Sequence, residues 1–509
     1  MPSFSQRDTA IQIQQEIIRT PGNLVVKASA GTGKTHVLVQ KIVAEVEANR
    51  SHKVIAAITF TIKAAQEIRD RLTVDVARHF IGTNNSFAIE EIIKPFMKDV
   101  YGAAYDIDMD TDYKRVVSGY DDGLKVLAAE FTLGSYETRT RRNFIFELAK
   151  KIVEDSEACR LYLKAKYLKL YIDEYQDCDQ DMHGLFMYLC DQLGIETFIV
   201  GDEKQSIYTW RGAYPEAFKG IWIKPNFKCI FMGYNHRSCQ QIQNYSNLLC
   251  EETRGFYTPL TSIEKIVWLT TDYAHWAAEA LKHINPDKSS ALLRRYHADV
   301  SAGAGLLSAQ GIEYIYVPLP PLMDVTTNTA WFFLSIAKHF ILKHYSAYDL
   351  VIEIPAEGDA AKTKIKTIEK MLNRIGQNLE QSNTREFGNA VRSLASELGY
   401  TARTDHIRKL YYTIKEEKWH AAFHTEDLQH IAITFHSSKG LEFDQVILFA
   451  EDYADFSKQD TVFNHYVAST RAKEKLIIVG TDNAQQFQQN LAGTFARAGV
   501  KLEDTISFI

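Results

Sequence analysis

Apolar residues along this chain fall into two kinds of run. Short blocks bounded by polar or glycine-containing turns read as buried strands: Leu24-Val25-Val26-Lys27, Val54 to Phe60, Leu168 to Ile172 and Glu196 to Val200. Between them, apolar residues recur at helical spacing. Thr35 to Glu47 places Val37, Leu38, Ile42, Val43 and Val46 on one broad face, and Ile62 to Leu72 reads as a second helix. Strands alternating with such helices predict an α/β fold with a parallel, doubly wound sheet.

The pattern then repeats. Ala291 to Leu293, Tyr314 to Val317, His430 to Phe435, Gln445 to Phe449 and Lys475 to Val479 read as strands of a second parallel sheet. Two stretches interrupt the alternation, about Ala88 to Arg142 and about Pro320 to Asp427, and both are polar and helix-like. Pro318, Pro320 and Pro321 mark the entrance to the later one. A chain of 509 residues is too long for one hydrophobic core, so several domains are expected.

Composition narrows the picture. No apolar run approaches the roughly 18 to 20 residues that cross a bilayer, and Met1 to Ala10 lacks the charged, apolar and small-residue succession of a signal peptide. A cytoplasmic protein with no membrane partner is expected. The six cysteines include no C-x-x-C pair, so reduced thiols are expected rather than a zinc or iron–sulfur site. A net charge of −6 excludes a surface coated in positive potential, yet a local basic groove with stacking aromatics still suffices for single-stranded nucleic acid. Arg139-Thr140-Arg141-Arg142 and Lys362-Thr363-Lys364-Ile365-Lys366 either contact phosphates or form solvated faces.

The candidate chemistry starts at Ala28-Ser29-Ala30-Gly31-Thr32-Gly33-Lys34-Thr35, between a strand and a helix. Its glycines let backbone amides wrap phosphates, Lys34 would reach the β and γ phosphates, and the Thr35 hydroxyl would ligate magnesium. Asp173 and Glu174 follow a hydrophobic strand, so both carboxylates stand at its carboxyl end. Asp173 would hold magnesium and Glu174 would activate the attacking water. The expected cofactors are ATP and Mg²⁺.

Seven motifs in this order resemble those of superfamily 1A DNA helicases of the UvrD/Rep/PcrA type. The loop at Ala28 suits that family's A-x-A-G-x-G-K-T variant, and Thr59-Phe60-Thr61-Ile62-Lys63-Ala64-Ala65 resembles T-F-T-N-K-A-A. Asp173-Glu174-Tyr175-Gln176-Asp177 precedes Gly201-Asp202-Glu203-Lys204-Gln205, followed by Tyr208-Thr209-Trp210-Arg211-Gly212-Ala213. Asn235-His236-Arg237-Ser238, Thr434 to Phe443, and Tyr466-Val467-Ala468-Ser469-Thr470-Arg471-Ala472 complete the series.

The resemblance implies two RecA-like motor domains of the P-loop NTPase class with two mainly helical insertions. The corresponding boundaries are 1–87 and 143–236 for the first motor domain, 88–142 for its insertion, 237–319 and 428–509 for the second, and 320–427 for a reduced second insertion. It implies an ATP-dependent DNA helicase that translocates 3′ to 5′ on single-stranded or tailed duplex DNA. Gln205 would sense the γ phosphate, and Arg237 and Arg471 would reach it from the second domain. Glu442 would contact the ribose and Gln14 the adenine, with Gln12 competing for that place. Thr59, Phe60, Tyr208, Trp210, Arg211, Thr434 and His436 would contact the DNA strand. Three positions depart from the pattern: His236 stands where the family has a tyrosine that stacks on adenine, Asn85 where it has histidine, and Ile62 where it has asparagine.

The compact insertions, with no nuclease-like segment after Arg471, also resemble the short UvrD-like helicases of Gabija anti-phage systems. That implies a rival role, a DNA-sensing ATPase that controls a partner nuclease. The helix predicted from Lys362 to Ile375 carries Ile365, Ile368, Met371, Leu372 and Ile375 along one side, a stripe that either packs within the insertion or meets such a partner.

Overall fold

The computed structural model describes residues 6–105, 109–207, 212–324, 328–354 and 364–509. In chain order the strands of the first half are β1 (Leu24–Ala28), β2 (Val54–Thr59), β3 (Phe80–Thr83), β4 (Asp110–Val116), β5 (Thr132–Ser135), β6 (Tyr167–Ile172), β7 (Glu196–Gly201) and β8 (Lys228–Met232). Six of them form a parallel sheet in the order β3-β2-β6-β7-β1-β8. Leu24, Val25 and Val26 of β1 are fully buried, each worth about 1.5 to 3 kcal/mol relative to exposure. This is why β1 reads as an unbroken apolar run rather than an alternation.

The second half adds β9 (Ile266–Thr270), β10 (Ser290–Arg294), β11 (Ile315–Tyr316), β12 (His430–Thr434), β13 (Phe443–Phe449), β14 (Ala472–Gly480) and β15 (Ser507–Phe508). They make a second parallel sheet in the order β11-β12-β10-β13-β14-β9-β15. Helices cover both sheets, and the two-sheet α/β architecture predicted from the alternation is the one observed. Among the described residues no helix is long and apolar enough to cross a membrane.

The first insertion differs from expectation. It contains β4 and β5, paired in parallel, alongside its helices. The ladder is thin and partly exposed, with Leu133 and Val117 buried but Val116 and Phe131 open to solvent, so it carries no clear period in the sequence. The Asn85 amide donates to the Tyr113 hydroxyl, which ties this ladder to the end of β3.

The second insertion is helical where described, with helices Asn328–Ile341, Ala347–Glu353, Ile365–Glu380, Thr384–Glu397 and Thr404–Lys415. Ile368, Leu372 and Ile375 are buried, and Ile365 and Met371 pack partly buried against the same core. The stripe therefore lies inside the molecule and is no partner surface. That core is continuous with one face of the first sheet through Val26, Ala57 and Ile81, and with Ile68 of the helix Ile62–Arg71 that covers it. Arg69, on helix Ile62–Arg71, seals the seam by lying 5.1 Å from the Trp331 ring and donating to the Glu353 carbonyl.

Candidate active site

Strands β6, β7 and β1 are neighbours, so their carboxyl ends present three loops side by side. The loop after β1 is fixed at its start by the Ser29 amide, which donates to the Met232 carbonyl at 2.9 Å. Gly31 and Gly33 both adopt left-handed backbone, with φ of 72° and 85°. A Cβ at Gly31 would collide with the side chains of Asn235 and Arg237. Gly33 caps helix Lys34–Ala48 without a side-chain bond, which leaves the first amides of that helix open toward an anion. The buried Ser29 hydroxyl has no hydrogen-bond partner among the described residues.

The loop after β6 carries the carboxylates. The Asp173 amide donates to the Ile58 carbonyl at 3.0 Å, which continues the ladder to β2. Glu174 then turns into left-handed backbone at φ 51°, a conformation that costs a non-glycine residue about 1 to 3 kcal/mol and recurs at functional sites. The Lys34 ammonium stands 2.9 Å from Glu174 Oε1, and the Lys439 ammonium 3.3 Å from its Oε2, where the Gln176 amide also donates. Burial and then the Glu174 charge push Asp173 up to about 7. Burial would raise Glu174 too, but Lys34 and Lys439 outweigh it and hold that carboxyl below the usual range.

After β7, Asp202 caps the short turn Glu203–Gln205, and Gln205 Nε2 donates to Asp202 Oδ2 at 2.7 Å. Lys439, from the segment after β12, donates to the Gln205 carbonyl at 3.1 Å and pairs with Asp177 at 2.5 Å.

Of the two arginines expected from the second domain, Arg237 lies in the turn that leaves β8 of the first sheet, and only Arg471 adjoins a strand of the second, β14. Asn235 Oδ1 accepts from the amides of Arg237 and Ser238, a turn that sets Arg237 directly over Gly31. Its guanidinium pairs with Glu442 at 2.9 Å and donates to the Thr470 carbonyl at 3.3 Å. Arg471 is buried, donating to the carbonyls of Val467 and Leu441 and to the Thr470 hydroxyl, with no carboxylate within 4 Å among the described residues. Burial, reinforced by the neighbouring Arg237 charge, brings it down to about 9. A buried cation held by neutral oxygens is a ready receptor for an anion.

Beside the loop lies a cavity of about 220 Å³ lined by Ile13, Gln14, Thr32, Tyr234, His236 and Phe256, among others. Gln14 faces it and donates to the Thr32 carbonyl at 2.9 Å, whereas Gln12 is exposed. His236 meets Tyr234 edge-on with ring centroids 4.8 Å apart. Glu442 is not among the cavity's lining residues; it is placed beside Arg237.

The residues expected on a DNA path are more scattered. Thr59 is buried and donates to the Thr61 carbonyl, and Phe60 is half-buried against the core of the first sheet. Thr434 and His436 lie together at the end of β12, where His436 stacks on Phe435 at 4.0 Å. Tyr208, Trp210 and Arg211 lie outside the described residues. Of the basic stretches, Arg142 is committed to Asp181 and Glu147, and Lys364 pairs with Glu397.

Two residues were not singled out from sequence. Tyr466 accepts from the Ala30 amide at 3.0 Å, and Lys439 joins three loops. Both sit inside motifs already quoted, and a lysine within a serine and glycine turn was the available signal. Glycine cradle, Lys34 and an unpartnered serine hydroxyl suit a nucleoside triphosphate, and the Thr35 hydroxyl with Asp173 offers the hard oxygen ligands that magnesium takes.

Residues 12–211 match the model of an AAA domain, and residues 430–479 that of a UvrD-like helicase C-terminal domain. The Gabija protein GajB of Bacillus cereus (strain VD045) is 40% identical over 473 residues, covering 92% of this chain and 94% of that protein. The chain belongs to the GajB family. This GajB-family chain is related more distantly to ATP-dependent DNA helicases. Rep of Escherichia coli (strain K12) is 26% identical over 46% of this chain and 42% of that protein, and PcrA of Bacillus subtilis (strain 168) is 27% identical over 46% and 38%. The chain thus spans less than half the length of Rep and PcrA, and it shares with them a helicase-like P-loop ATPase core.

Proposed function

We propose that this chain is an ATP-dependent motor that translocates 3′ to 5′ on single-stranded DNA and hydrolyses ATP between its two sheets. The observation that carries this reading is the convergence of Lys34, Glu174 and Gln205 from the first sheet and Arg237 from the turn after β8 with Arg471 from the second sheet. Bound ATP with magnesium would supply the transferable phosphoryl group and neutralise part of its charge. Lys34 would bind the β and γ phosphates, while Thr35 and Asp173 would hold the metal. Glu174 would take the proton of the attacking water. Gln205, Arg237 and Arg471 would orient the γ phosphate and stabilise the charge that develops on it. Because Arg471 comes from the second sheet, its grip would draw the sheets together and loss of that grip would let them part.

Gln14 would read the base, with Tyr234 and His236 as its aromatic walls. Thr434 and His436, with Phe60, Tyr208, Trp210, Arg211 and Thr59, would follow the strand, where stacking is worth about 1 to 3 kcal/mol per base without regard to sequence. A second reading, a DNA-sensing subunit that regulates a partner nuclease, is favoured by one observation: Glu174 is held by two lysines, a restrained arrangement suited to a sensor. The deciding experiment measures DNA-stimulated ATPase together with unwinding of 3′-tailed and 5′-tailed duplexes, with and without co-purified proteins. A motor unwinds one polarity alone; a sensor hydrolyses ATP on DNA yet unwinds neither. Absence of ATPase with either DNA would sink both.

A further inference from the structure

The segment from Thr434 to Glu442 runs back from the carboxyl end of β12 to the amino end of the parallel strand β13, since Thr434 ends β12 and Glu442 precedes β13. Its first half is a tight unit. The Ser438 amide donates to the Thr434 carbonyl at 3.0 Å, the Ser437 amide to the Thr434 hydroxyl at 3.2 Å, and the Lys439 amide to the His436 carbonyl at 3.3 Å. Gly440, at φ 89°, then turns the chain away. A displacement of Thr434 or His436 is therefore passed to Lys439 through the backbone.

Among the described residues, Lys439 is anchored to the first sheet by Asp177 at 2.5 Å, the Gln205 carbonyl at 3.1 Å and Glu174 Oε2 at 3.3 Å. With Lys34 on Oε1 and the Gln176 amide on Oε2, both Glu174 oxygens already accept from the protein. With about four acceptor sites on a carboxylate, these three donors fill both sites of Oε2 and leave one on Oε1, which narrows the capacity to take a proton from water.

We propose that Lys439 is the positioning residue through which strand binding controls hydrolysis: seated on Asp177 and Glu174 it restrains the water-activating carboxylate, and strand contact at Thr434 and His436 withdraws it. The inference rests on the motor reading above and adds to it the route of control. In DNA-free protein the latch is closed and turnover slow. On a strand, the turn shifts, the ammonium leaves Glu174 Oε2, and that oxygen, left with the Gln176 amide, regains a site for water.

The test is steady-state ATPase of the full chain with and without a poly-dT oligonucleotide, for the parent, Lys439→Met, Asp177→Asn and the double variant. Methionine keeps the stem and removes the charge, and asparagine keeps the shape of the anchor. DNA-free turnover of each single variant should rise about tenfold, a fraction of the 10² to 10⁴ that a general base contributes. The DNA-bound rate should stay near the parent's, so the stimulation ratio collapses, and the double variant should go no further than either single one. Loss of turnover with and without DNA in Lys439→Met would place the lysine in the chemical step and overturn the proposal. A parent-like stimulation ratio in both single variants would overturn it as well. A parent that DNA does not stimulate would instead sink the motor reading, and this inference with it.

Discussion

The Tyr466 hydroxyl accepts a hydrogen bond from the Ala30 amide at 3.0 Å, joining the helix that leads to Arg471 directly to the phosphate-binding loop. A phosphate oxygen would compete for that amide. Tyr466→Phe leaves a buried donor unpaired in nucleotide-free protein, at a cost of about 1 to 3 kcal/mol. Its melting temperature without nucleotide should fall, and the rise on adding a non-hydrolysable ATP analogue should exceed the parent's. Equal losses with and without the analogue would show that the hydroxyl serves only packing.

Glu174→Gln keeps the shape of the side chain and removes the proton acceptor. ATP binding should persist while turnover on DNA falls about 10²-fold or more. Equilibrium binding of a fluorescent ATP analogue beside steady-state turnover checks both halves, and unchanged turnover would remove Glu174 from the mechanism.

Arg471 is a buried cation whose described partners are all neutral oxygens. Arg471→Ala should lower turnover by about 10³-fold, in the range of an arginine finger, and leave DNA affinity without nucleotide intact. Parallel loss of both activities would point to misfolding, which a far-ultraviolet spectrum would confirm.

His465 is fully buried, and desolvation brings it down to about 3 from its ordinary 6.5. Folded protein keeps it neutral, with its Nε2 2.7 Å from the Tyr245 hydroxyl, whereas the unfolded chain takes up a proton below 6.5. The stability that follows is complete above that value and declines as pH falls toward 3, at about 1.4 kcal/mol per unit. Between about pH 6.5 and pH 5 the parent should lose about 2 kcal/mol more than His465→Asn, measured by urea denaturation. Parallel pH profiles would exclude His465 as the source.

Much of this was legible in sequence for identifiable reasons. The phosphate loop announces itself because Gly31, Gly33 and Lys34 must be those residues, and β1, β2, β6 and β7 are buried on both faces and so read as apolar blocks. Three of the four edge strands of the two larger sheets did not stand out: β3 holds a glycine in Phe-Ile-Gly-Thr, β8 opens on lysine, and β15 is two residues long. The β4 and β5 ladder was hidden by its exposed, charged strand Tyr113-Lys114-Arg115-Val116. Within the site, motif residues could be named singly but their pairings could not. Lys439 meets Asp177 across 262 positions of chain, and no local pattern records such a contact.

The seam between the second insertion and the first sheet is a shared apolar core, whereas the contacts described between the two sheets are hydrogen bonds and ion pairs, with Ala30 and Ile207 as a small apolar part. Separating the first seam would expose hydrocarbon at about 25 cal/mol per Å², while the second trades protein partners for water at little net cost. The molecule therefore has its natural hinge between the sheets. Were ATP to drive the sheets apart, the shared core would hold the insertion to the first sheet while its two connections, leaving β11 and entering β12, belong to the second, so any stroke would load those connections.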